Sequence, residues 1–190
     1  MNIMMTVRSV VSTLLFLVVG WWAFLATASD DEWSIDGISK GSRIILLESL
    51  SIAAGDYRVF VQHGAATGNG LYSASPDYNQ YHPFCFFEIR SPSDLQQTIF
   101  PGEFEIIRVT MQETEFVQAK PVKFASSLQL AGSLSPIAQA LILKLRSSTQ
   151  PSVEQMVCAD GFADPIYAKL PTLEQIKKVL GKLATFELAP

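Results

Sequence analysis

The chain is predicted to fold as a mainly β protein, an antiparallel sandwich or barrel with one C-terminal helix and one disulfide. Three observations predict this. Apolar residues alternate with a period of two along most of the chain, rather than recurring every three or four positions. The alternating stretches are short and are separated by Gly, Pro, Asp and Ser clusters. Two cysteines, an even number, stand in a chain that begins like an exported protein.

The elements follow in order. Residues 1–28 place Arg8 before an apolar run from Val10 to Leu25, then Ala26-Thr27-Ala28 with small residues at the −3 and −1 positions of an export site. A basic start, an apolar middle and A-x-A is the order of a secretory signal peptide. An uncleaved anchor is the alternative: Val10–Ala28 approaches the roughly 20 residues that span a bilayer, and Trp21-Trp22 suits an interface. Residues 29–190 then make a single exported domain.

Ser42–Ile52 reads as one apolar strand, and in YRVFVQ the side chains of Tyr57, Val59 and Val61 share a side. Between Phe104 and Met111, Phe104 and Ile106 alternate against Ile107, Val109 and Met111; the polar Gln112-Glu113-Thr114 allows a turn. Lys123–Gln139 has no clear period, with Ser135-Pro136 suited to opening a short helix and Gly132 to a turn. Leu141, Leu143 and Leu145 then oppose Ile142, Lys144 and Arg146. Val153–Ala159 puts Glu154 on the side of Met156 and Cys158. In PTLEQIKKVLGKL, Thr172 and Gln175 have capping-box spacing, Leu173, Ile176, Leu180 and Leu183 form one face, and Gly181 suits a stop. ATFELAP closes the chain as a strand or tail.

The stretch YHPFCFFEIR carries the most information. Pro83 has no N–H for a ladder, so the strand begins at Phe84. Period two directs Cys85, Phe87 and Ile89 to the core and Phe84, Phe86, Glu88 and Arg90 to the other face. The Phe84/Phe86 face reads as the docking site of the helix, or alternatively as a partner surface. Cys85 and Cys158 are expected to pair as a staple between two strands, contributing about 4 kcal/mol by loop-closure entropy. Neither has the C-x-x-C setting that activates a redox thiol.

Function is less legible. The chain carries 14 basic and 18 acidic residues, net −4, without a basic patch among aromatics, which argues against nucleic acid. The candidate binding loop is His63–Pro83, with His63, Tyr72, Asp77, Tyr78, Tyr81 and His82 as its chemistry-bearing residues. Long loops without structure of their own are often functional, and tyrosines make adaptable contacts. If the flanking strands were neighbours, His63 and His82 would approach, and Asp77 would complete a zinc or copper site. The glycines lack the lysine of a phosphate loop, and the G-x-S-x-G elbow is missing. The expectation is a non-catalytic envelope protein with no cofactor or metal, whose partner is another envelope protein. It would meet a membrane only by retaining residues 1–28. A membrane-tethered interaction domain and a metal-dependent envelope enzyme using His63 and His82 are the alternatives.

YRVFVQHG, QYHPFCFFEIR, QQTIFPGEFEIIRVT, the second cysteine and LPTLEQIKKVLG occur here in one order. Together they resemble a group of small exported proteins of Gram-negative bacteria. These share Q-x-G, a C-[FY]-F-E strand, a Q-x-I-x-P-x-x-F-x-I-x-R-V strand pair and an L-T-x-E-Q-I helix. The resemblance covers residues 57–111 and 153–181. It implies export, paired cysteines and a mostly β domain, and it implies no particular reaction. One departure is Phe162, four positions after Cys158, where the group has its aromatic sooner.

Overall fold

The computed structural model describes residues 37–67, 78–115 and 135–190. The segment read as signal or anchor, Tyr72 and Asp77 all lie outside the described residues. The strands are β1 (Arg43–Leu46), β2 (Leu50–Ile52), β3 (Arg58–Gln62), β4 (Ala65–Ala66), β5 (Phe84–Ile89), β6 (Gln97–Ile99), β7 (Gly102–Glu115), β8 (Ile137–Arg146), β9 (Val153–Ala159) and β10 (Ala184–Glu187). The helix α1 spans Leu173–Leu180. Eight strands join in the order β10-β1-β7-β8-β9-β5-β3-β4, and β2 pairs with β6 in a separate ribbon. Every pairing is antiparallel. The large sheet curls into a half-barrel, which settles between the two architectures expected.

The concave filling is one apolar core. Val59, Val61, Cys85, Phe87, Leu141, Leu143, Met156 and Cys158 come from the sheet, and Leu50, Ile52 and Ile99 from the ribbon. Leu173, Ile176, Val179 and Leu180 of α1 join them. The helix therefore packs on the Cys85 face of β5. This corrects the expectation that it docks on Phe84 and Phe86. Alternation makes both faces of β5 apolar, so periodicity alone does not choose between them.

Other departures have equally local causes. Ser42–Ile52 is not one strand but two, β1 and β2, in different sheets. Gln112-Glu113-Thr114 makes no turn; these residues pair with Ala140, Gln139 and Ala138 in the continuous Arg108–Glu115 part of the β7–β8 ladder. Ser135-Pro136 opens no helix and leads directly into β8. The register shifts between Ile106 and Arg108, so Ile107 is bulged and the core side passes from Phe104 and Ile106 to Val109. A bulge adds one residue and so reverses the side-chain phase, which is why both sets of that stretch read as apolar. A second bulge, opposite Glu88/Ile89, sends Val153 to the core in place of Glu154. Glu154 is thereby left on the surface, where Lys144 bonds it at 2.5 Å and holds its carboxyl below the usual range.

The two signals that rest on local chemistry are present as read. The Thr172 hydroxyl accepts from the Gln175 N–H at 3.2 Å, and the Gln175 side chain accepts from the Thr172 N–H at 2.8 Å, closing the capping box. Cys85 and Cys158 form the disulfide across directly paired positions of β5 and β9, closing a separation of 73 residues. Both sulfurs sit in the core with no exposed surface. The bond fits an oxidising, exported location.

Candidate functional site: the base of the His63–Pro83 loop

The loop departs from β3 through the tightest hairpin connection. Gln62 pairs with Ala65, and the two residues between them, His63 and Gly64, have φ of 53° and 75°. Positive φ at both positions is the type I′ geometry that twists with the strands, and it favours Asn-Gly. Histidine tolerates this region better than most side chains. Among the described residues His63 is the one non-glycine with positive φ.

The returning end of the loop is held by Gln62. Its side chain is buried at the end of β3, and its two N–H groups are shared among the carbonyls of Asn79 (2.9 Å), Pro83 (3.1 Å) and His82 (3.3 Å). Its oxygen accepts from the Asn79 N–H at 2.8 Å. A buried amide left unpaired would cost about 1–3 kcal/mol; here one side chain satisfies itself and three carbonyls of the incoming chain. Two glycine contacts complete the base. The Gly64 N–H donates to the Val179 carbonyl at 2.8 Å, and a Cβ on Gly181 would lie 2.8 Å from the Gly64 Cα. A Cβ on Gly161 would lie 2.7 Å from the Tyr81 carbonyl. The hairpin thus abuts the C-terminal end of α1, and the loop's far end abuts the turn after β9.

These contacts bring His63 and His82 together, with ring centroids 6.1 Å apart and planes at 84°. They line an open cleft of about 220 Å³ with Pro83, Gln175, Lys178 and Val179. Among the described residues neither imidazole nor Lys178 has a hydrogen-bond or ion-pair partner. Gln175 is already engaged: its side-chain N–H donates to Asp160, which also meets Lys169 at 3.4 Å. No group of three or more His, Cys, Asp or Glu converges among the described residues.

The two described loop tyrosines, Tyr78 and Tyr81, do not join this cleft. Tyr81 is exposed. Tyr78 crosses to the other face of the sheet and packs edge-on against Phe60 and Phe84, at 5.5 and 5.7 Å. Its hydroxyl is buried with no hydrogen-bond partner among the described residues, and burial pushes the phenol well above its ordinary range. Phe60, Phe84, Ala138, Ala140, Val157, Ala159 and Phe162 form a second cluster there, with Phe86 at its margin. A groove of about 180 Å³ runs over it, closed at one side by Arg58. That guanidinium stacks on Phe86 at 4.9 Å and pairs with Glu88 at 3.1 Å.

Of the six loop residues read from the sequence, the structure joins His63 and His82 and separates Tyr78 and Tyr81 from them. Gln62, Lys178, Gln175 and the glycine contacts were not anticipated. For Gln62 a signal existed: a polar side chain ending the apolar run VFVQ must find partners where the strand stops.

No protein-family model, curated protein or solved structure matches this chain.

Proposed function

We propose that this protein is an exported, non-catalytic binding module of the cell envelope, and that its contact surface is the base of the His63–Pro83 loop. The observation that supports the reading is the construction of that base. One buried glutamine, a two-residue hairpin and two glycine contacts hold both ends of the loop against α1 and the turn after β9. Side chains placed on a rigid base lose little entropy on binding, which is what recognition requires. The buried disulfide supports residence in an oxidising compartment, with residues 1–28 acting as signal peptide or, alternatively, as a tether.

The test places a photoreactive amino acid at Tyr81, which is 59% exposed, in the full chain expressed in a Gram-negative host. A discrete cross-linked adduct in the envelope fraction, absent when the probe stands at exposed Leu95 instead, is the expected result. Equal labelling at both positions, or none at Tyr81, overturns the reading. Intact mass of the same material distinguishes a chain starting at Ser29 from a tethered one.

A further inference from the structure

Three nitrogen-bearing side chains without a hydrogen-bond or ion-pair partner among the described residues line one cleft. His63 comes from the hairpin turn, His82 from the end of the loop, and Lys178 from the exposed side of α1. Each is a hydrogen-bond donor: a neutral imidazole offers one N–H and the ammonium three. The acidic group nearest in the hydrogen-bond network, Asp160, is answered by Lys169 and Gln175. The floor, Pro83 and Val179, presents no acceptor side chain. A cation would meet the Lys178 charge and only two imidazoles, whereas metal sites built on imidazole add further ligands. One ammonium and two imidazole N–H groups, with no carboxylate among the lining residues, suit an anion.

The hairpin turn fixes where His63 stands. Asn is the residue a type I′ turn prefers at this position, and histidine at φ 53° adopts the same backbone while presenting an imidazole to the cleft. Its ring meets that of His82 edge-on, with both residues exposed to solvent.

We propose that the His63–His82–Lys178 cleft binds an anionic oxygen group, a carboxylate or a phosphate, carried by the ligand or partner of this protein. The proposal rests on the loop base being the contact surface and names the chemistry it recognises. The bound oxygens accept from Lys178 Nζ and from one N–H of each imidazole.

The experiment titrates the ¹⁵N-labelled protein with inorganic phosphate and, separately, with acetate, and follows the histidine ring signals and the Lys178 and Val179 amides. Saturable shifts confined to this cleft are expected, with the tighter of the two anions identifying the group. Lys178→Met and His63→Asn should each weaken that binding about tenfold, the loss of one charge-assisted hydrogen bond. Asn keeps the turn, so the second variant stays folded. Shifts that never saturate, or affinity unchanged in both variants, overturn the proposal. Saturable binding of Ni²⁺ with no anion response replaces it with a metal pair. The Tyr81 cross-link separates the two levels. An adduct without anion binding removes only the anion inference, and anion binding without an adduct removes only the larger reading.

Discussion

The two faces of β5 are built from the same alternation and end in different roles. On one, Cys85, Phe87 and Ile89 are covered by α1 and sealed by the disulfide, with Phe87 and Cys85 wholly inaccessible. On the other, Phe84 is buried while Phe86 and Glu88 remain partly open, and the covering comes from single rings, Tyr78 and Phe162, with Arg58 at the margin. The first face is closed by a regular element that brings four buried aliphatic side chains at once. The second is closed piecemeal, by residues of loops and turns. The difference teaches that apolarity identifies a face to be covered, whereas the covering element identifies whether the face becomes core or groove.

Substitution at neighbouring positions sharpens this contrast most. Phe87→Ala should cost about 3–5 kcal/mol, by lost burial and the cavity left behind. Phe86→Ala should cost about 1 kcal/mol, the ordinary scale for a partly exposed site. Denaturant midpoints of the two variants measure this, and equal losses would erase the distinction between the faces. Removal of the staple by the double substitution Cys85→Ala, Cys158→Ala should cost about 2–5 kcal/mol. Because both sulfurs are inaccessible, reductant should cleave the native bond only as fast as the protein opens, a rate read by timed alkylation.

The loop base tests the edge between the faces. Gln62→Ala leaves the Asn79, His82 and Pro83 carbonyls without their shared donor and should cost about 1–3 kcal/mol. Hydrogen exchange should rise first at the Asn79 amide, which Gln62 accepts, while the Cys85 amide stays protected. Uniform loss of protection would make Gln62 a core residue rather than a local clamp.

The smallest effect concerns the bulged edge of β9. Glu154 ionises more readily folded than unfolded, chiefly through its bond to Lys144. A lowered folded value means that the contribution is complete well above the ordinary 4.5 and is lost as pH falls through and below it. Lys144→Met should therefore destabilise by about 0.2–1 kcal/mol at neutral pH. The gap to the parent protein should close in acid. A gap independent of pH would assign the loss to packing of the lysine stem.

Much of this was legible in the residues and some was not, for identifiable reasons. The paired isoleucines at 106 and 107 interrupt the alternation, and the structure turns that interruption into a bulge. The cleft was half legible. The two histidines at the loop's ends were visible in the sequence, but their meeting depends on β3 and β5 being neighbours and on Gln62 bridging the ends. Lys178 is an outward charge on the helix; only its neighbours, drawn from residues 63 and 82, give it a site to face.

By itself the sequence determined what depends on nearest neighbours along the chain. The two-residue period of the strands, the start of β5 after Pro83, the inward face of Cys85 and the capping box of α1 all follow from backbone chemistry within a few positions. The cysteine pair followed from count and compartment. Tertiary structure alone decided which apolar face the helix covers, where bulges reverse the pattern, that β7 runs on through its polar residues, and that three donors from distant segments share one cleft. Those outcomes depend on which strands pair and in what register, and contacts between residues far apart in sequence leave no local trace.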